Sequence, residues 1–319
     1  MRAIHLVDSI EYAENNCFQH QLMKALPRVG EIQHCSLSSL ERAFDWPSGP
    51  QPIICCLKQR TLFREVDKIA ELIGRTPVVI YDQDPWQAFM DDSPFKGTYE
   101  LACSKLNVKS IAVTTELWAD FLKARGLPSK FVNMWVSPTY CDPGPSYEDR
   151  SIVAGFIGSM HPYRKTLFDR LDDLGVQVNV QAGNTLGYDR YLKALQNIRI
   201  FVHSEDGPLV VDGGPMNLKD GLWVKDIEAA SQGCFSIRNS GAGYMSYLEG
   251  LPQDSTGQRL VRTYEDPDEV PGIIEGIQKM DPVERQTLIE MTVEYIKQAD
   301  MWHETATALL SETDEALKV

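Results

Sequence analysis

The sequence lacks any paired-cysteine motif: Cys17, Cys35, Cys55, Cys56, Cys103, Cys141 and Cys234 include no CxxC. Several sit in apolar runs, where a thiol acts as a small hydrophobe, so a disulfide framework is not expected and a reducing compartment is. Long apolar runs are missing too. The opening MRAIHLVDSIEYAENN turns polar too early for a signal peptide, and no run approaches the ~20 residues that span a bilayer. The expected location is cytoplasmic, with no membrane span. Positive charge is scarce, with 31 Lys and Arg against 45 Asp and Glu and a net charge of −14. That balance opposes a phosphate backbone, so nucleic acid is not an expected partner. The six histidines form no HExxH or other ligand spacing, so no metal site is expected from them. No glycine fingerprint follows the first apolar run, where Asp8, Ser9 and Glu11 stand, which argues against a dehydrogenase.

What is present describes a folded α/β protein. Hydrophobic residues make up 43% and charged residues 24% of 319 positions, near the globular average, and the length suggests two domains. Short apolar runs (Ala3–Val7, Ile32–Ser36, Pro52–Leu57, Pro77–Tyr81, Ile111–Thr114, Phe131–Val136) alternate with stretches whose apolar residues recur every three or four positions. Ser137 to Asp149 is rich in proline and glycine, as linkers are, and the alternation then restarts with Val153–Ile157. The expected fold is α/β, with two doubly wound, Rossmann-like parallel-sheet domains facing across a cleft. Its expected bounds are 1–138 for the first domain, 139–150 for the linker, 151–290 for the second domain, and 291–319 for terminal helices packing back on the first. Residues 207–219, GPLVVDGGPMNLK, are expected to form a loop of the kind that gates ligands.

In open parallel sheets, ligands collect at the carboxyl ends of the strands. That rule selects Gly158 to Lys165, Gln181 to Asn184, His203 to Asp206, Asp220 to Glu228 and Asn239 to Tyr244. Arg164 and Lys165 open a helix after a glycine-bearing turn, where cations and free N–H groups suit a diphosphate, or where either residue is merely solvated. His161 stands beside them and Lys225 lies in the same half of the chain, so a local basic patch is possible despite the acidic total. Within DGLWVKDIEAASQG, Glu228 lies in a small-residue helix, and a carboxylate there can accept both hydroxyls of a ribose. Asp220 suits either a site acid or a helix cap.

Taken together, GFIGSMHPYRK, FVHSEDGP, DGLWVKDIEAASQGCFSIRNSGAG and YEDPDEVPGII resemble the C-terminal half of GT-B glycosyltransferases. The similarity is to the CgeB-like and family-4-like groups, and it covers about residues 150–305. The resemblance implies transfer of a hexosyl or related unit from a nucleotide-diphospho-sugar, without a required cofactor, to an unidentified acceptor. It assigns Glu228 to the donor ribose, Arg164 or Lys165 to the diphosphate, and Ser240, Gly241, Ala242 and Gly243 to phosphate or sugar. Asp220 replaces the first glutamate of the family's E-x7-E, and its shorter reach leaves the stereochemistry open. Trp302 and His303 fall in a segment resembling the one that braces the N-terminal domain.

The first half agrees in architecture alone. There VVIYDQDPW puts Asp82 and Asp84 at the end of a strand, where either suits the base that takes the acceptor's proton. Trp86 beside them suits an acceptor platform, with core packing as the default for every tryptophan. Asp8 and Glu11 complete the acceptor-side candidates. Two alternatives stay open: a metal-dependent GT-A enzyme using Asp82 and Asp84 as cation ligands, and a non-catalytic protein that binds a nucleotide or anion or partners an active transferase.

Overall fold

The structure, a computed structural model, describes residues 2–15, 17–44, 51–183, 186–217, 224–241 and 249–317. It divides into two compact units. The first comprises Met1–Met134, Leu209–Met216 and Met301–Val319; the second comprises Trp135–Pro208 and Asn217–Asp300.

The first unit carries β1 (Arg2–Val7), α1 (Ile10–Asn15), α2 (Cys17–Ala25), β2 (Glu31–Ser36), α3 (Leu40–Phe44), β3 (Ile53–Cys56), α4 (Gln59–Ile73), β4 (Pro77–Asp82), α5 (Thr98–Lys105), β5 (Asn107–Val113), α6 (Glu116–Ala124) and β6 (Ser129–Phe131). The strands form one parallel sheet in the order β2-β1-β3-β4-β5-β6. β3 and nearly all of β4 are buried, as the unbroken IICC and PVVIY runs require of strands covered on both faces. α4 buries Leu62, Val66, Ile69 and Ile73, the spacing of one helical face.

The second unit carries β7 (Ile152–Gly158), α7 (Pro162–Asp173), β8 (Asn179–Ala182), α8 (Tyr188–Leu195) and β9 (Ile198–His203). The chain next forms β10 (Pro208–Val211) and β11 (Gly214–Asn217). It continues with α9 (Lys225–Ser231), β12 (Phe235–Asn239), β13 (Val261–Tyr264), α10 (Val270–Lys279), α11 (Pro282–Gln298) and α12 (Met301–Leu317). The second parallel sheet runs β13-β12-β9-β7-β8. In both sheets the first strand lies between the second and third, so the connections leave it toward opposite edges. The carboxyl ends of β1 and β3, and of β7 and β9, are therefore topological switch points, where open α/β sheets bind ligands.

Three segments differ from expectation. Residues 208–217 form a hairpin: the two-residue turn Asp212–Gly213, with φ of 50° and 73°, is the positive-φ Asp-Gly pair that tight hairpins favour. The hairpin belongs to the first unit. There the Asp91 carboxylate accepts from the N–H of Asp212 (3.1 Å) and of Gly213 (2.8 Å), and Lys96 pairs with Asp91 at 2.6 Å and Asp212 at 3.3 Å. Residues 137–149 are tied to the second unit. Asp142 N–H donates to Ser231 O at 3.0 Å, and the buried Arg150 just beyond donates to Ile198 O and Gln232 O, both at 2.9 Å. Third, β13 is too short, at four residues, to stand out in the sequence.

α12 packs on β3, β4, β5 and α2 of the first unit, with Trp302 1% exposed and Thr305 donating to Asn133 O at 2.6 Å. Among the described residues, no helix is long and apolar enough to cross a membrane.

Candidate active site

The switch point of the second unit is built on a chain of buried charges. Arg164, 2% exposed on the first turn of α7, pairs with Glu205 and donates to Ser159 O (2.7 Å) and Ser204 O (3.1 Å). Glu205, just past β9, takes a second bond from Tyr163 Oη (3.1 Å), and its N–H donates to Asn239 Oδ1 (2.8 Å). His203 stands with Nδ1 3.4 Å from Glu205 and Nε2 2.8 Å from Asp226. Asp226 in turn accepts from Ser236 Oγ at 2.7 Å and Arg238 at 3.3 Å. The network thus ties the starts of α7 and α9 to the ends of β9 and β12. Burial alone would raise both acids, but His203 and Arg164 pull Glu205 down to about 2, and His203 and Arg238 hold Asp226 far below the usual carboxylate range.

Lowered folded values mean stability that is complete above the unfolded pKa and lost as pH falls through the folded one. Glu205 contributes fully above about 4.5 and loses that contribution between there and about 2. The urea midpoint of the second unit is therefore expected to fall across this acid window. In Glu205→Gln, that part of the pH dependence is expected to disappear.

Glu228 is held differently. It is 2% exposed on α9, and its Oε1 has no hydrogen-bond partner among the described residues. Burial raises its pKa, opposed by Lys225 and by the nearby hydroxyls of Tyr191 and Tyr188 on α8. Lys225, half-buried at the start of α9, joins none of the ion pairs found among the described residues. Its Cε lies 3.5 Å from where a Cβ on Gly158 would sit, and Gly158, the last residue of β7, has a φ of 151°. A side chain there would be strained and would press on Phe156 Cζ, 3.1 Å away, while meeting Lys225 at ordinary contact distance. The positive charge of Lys225 lowers the pKa values of His161, Glu205 and Glu228. A half-buried cation one helical turn from a buried, under-bonded carboxylate can receive a ligand carrying both phosphate and hydroxyls.

The other candidates fall around this centre. His161 is exposed and stacks on Tyr163 with centroids 5.4 Å apart, its pKa lowered by burial and then by Arg164. Lys165 points outward into an exposed pair with Asp169 at 2.5 Å, while every nitrogen of the Arg164 guanidinium is committed to the protein. Ser240 N–H donates to Tyr264 O at 2.8 Å, and Gly241 follows, half-buried. Asp220, Ala242 and Gly243 lie outside the described residues.

At the carboxyl ends of β3 and β4 the first unit has a cavity of about 320 Å³, lined by Tyr12, Phe18, Gln19, Gln59, Gln83 and Gln87 with Asp82 and Asp84. Asp82 accepts from Asp84 N–H (2.8 Å), Gln59 Nε2 (3.0 Å) and Tyr99 Oη (2.9 Å). Its pKa is raised by burial, against those three bonds. Asp8 serves the start of α4, accepting from Lys58 N–H at 2.8 Å and from Thr61. Glu11 is exposed on α1. Trp86 is half-buried in the short 3-10 turn Pro85–Ala88, its Nε1 without a hydrogen-bond partner.

The strand-end rule selects the stretches that hold Glu205 and Asp226 without giving either a role, and Tyr188, Tyr191 and Gln59 are not among its selections. Gln59 follows a strand in LKQR, so the same rule has the signal for it. Within Asp220 to Glu228, nothing in residue order sets Asp226 apart from Lys225 and Glu228.

No protein-family model and no curated protein matches the chain. Solved structures do. Trehalose-6-phosphate synthase OtsA superposes with a TM-score of 0.61 at 9% identity, covering 99% of each chain. The UDP-forming alpha,alpha-trehalose-phosphate synthase of Burkholderia vietnamiensis gives 0.59 at 10% identity, over 99% of this chain and 100% of that one. The N-terminal domain of Candida albicans trehalose-6-phosphate phosphatase gives 0.58 at 10%, over 99% and 97%. The chain has the GT-B fold that these structures share. The metal-dependent GT-A alternative is not supported: Asp82 and Asp84 belong to a doubly wound unit of that fold, and both Asp82 oxygens accept hydrogen bonds within the protein.

Proposed function

We propose that the protein is a glycosyltransferase that moves a sugar from a nucleotide-diphospho-sugar to a hydroxyl acceptor. The observation that carries this reading is Glu228 Oε1, buried without a partner beside Lys225 at the switch point of the second unit. Leaving such an oxygen unmatched is costly, and a ribose hydroxyl is the donor it lacks. The neighbours named UDP-forming support a uridine nucleotide as the first donor to try, and the motifs around Glu228 support the CgeB-like and family-4-like groups within the fold.

Lys225 would meet the diphosphate, with the positive end of the α7 dipole behind it, so that negative charge on the leaving phosphate is stabilised without a metal. Arg164 would act by holding Glu205 and the α7 start in place rather than by touching phosphate. On the acceptor side Asp82, made more basic by burial, is the proposed general base. The anomeric carbon's bond to the phosphate oxygen breaks, its bond to the acceptor oxygen forms, and the acceptor's proton passes to the carboxylate. Release of nucleoside diphosphate from a panel of nucleotide-sugars tests the reading.

A further inference from the structure

On the transferase reading above, we infer that the cavity of the first unit receives a small polyhydroxylated acceptor of monosaccharide size, one of whose hydroxyls donates to Gln59 Oε1. Gln59 is 5% exposed and lines the cavity. Its Nε2 is held by Asp82 Oδ2 and Asp84 O, both at 3.0 Å, and lies 3.3 Å from Tyr99 Oη, which fixes which way the amide faces. Oε1 is left buried with no hydrogen-bond donor among the described residues.

A buried acceptor atom beside a cavity asks for a donor from whatever fills it. An alkyl lipid chain has none. The volume of about 320 Å³ is at the lower end of small-molecule pockets, roughly 300 to 1,000 Å³, and is too small for an extended peptide. Sugars match the polar and aromatic part of the remaining lining, to which Lys58 and Arg60 add positive charge. Their hydroxyls both donate and accept, as Gln83, Gln87 and Asp82 require, and their C–H faces suit aromatic rings such as Tyr12 and Phe18.

The experiment is saturation-transfer NMR on the full chain with D-glucose, N-acetyl-D-glucosamine and myo-inositol, with UDP binding followed in parallel by calorimetry. The expected result is saturation transfer to at least one of the three. That signal should weaken about tenfold in Gln59→Leu, and in the same direction in Gln83→Ala should the first variant not fold, with UDP affinity unchanged. UDP binding without any saturation of the three polyols would overturn the acceptor class and leave the transferase reading standing, as would full polyol binding in both variants. Absence of UDP binding would instead strike the transferase reading, and the inference with it.

Discussion

Glu228→Gln is expected to bind the nucleotide-sugar ten- to a hundredfold more weakly while melting at the same temperature as the parent or higher. Both halves follow from the same geometry. The wild-type carboxylate is buried, its pKa is raised, and one oxygen has no partner. A neutral amide removes the cost of burying charge, so the unliganded fold loses nothing essential. Bound ligand reverses the balance, because ribose hydroxyls bond more strongly to a carboxylate than to an amide, and hydrogen bonds to charged groups contribute about 1.5–3 kcal/mol. An acid kept for stability would give the opposite result. Melting curves and calorimetric titrations of the two proteins decide between them.

Arg164→Met is expected to destabilise the second unit by about 3–5 kcal/mol, the usual cost of leaving one member of a buried ion pair alone. Glu205 would keep Tyr163 and His203 but lose its strong cationic partner. Combining Arg164→Met with Glu205→Gln removes the stranded charge, so the double variant should recover much of the loss. Urea denaturation followed by a probe within the second unit reads this, since two units need not unfold together. If Arg164 instead served chiefly as a phosphate ligand, the single variant would keep its midpoint and lose nucleotide affinity.

The contrast between Arg164 and Lys225 shows how much of the site could be read in the sequence. Position after a strand selected both residues, and the two-domain α/β architecture followed from chain length and alternating periodicities. What residue order cannot give is which cation is already paired. Arg164 is consumed by Glu205, a residue 41 positions away, and Lys165 faces outward into a pair one helical turn along. Lys225 is left beside Gly158 because β7 and α9 meet at the end of the sheet. The hairpin was hidden for a different reason. VVDGGPMN carries a turn signal, but flanking runs of four residues are too short for strand alternation to register, and the hairpin's partners at Asp91 and Lys96 lie far back in the chain. Gln59 is hidden because residue order does not tell a glutamine facing a cavity from one on the first turn of an ordinary helix.

The most direct test of the central claim is release of nucleoside diphosphate from UDP-, GDP- and ADP-sugars by the purified chain, with a chelator present and a mixture of small polyols as acceptors. The account predicts release with a strong preference for one base, undiminished by the chelator and lost in Glu228→Gln. Release that proceeds equally in that variant, or no release and no binding with any of the three bases, would contradict it.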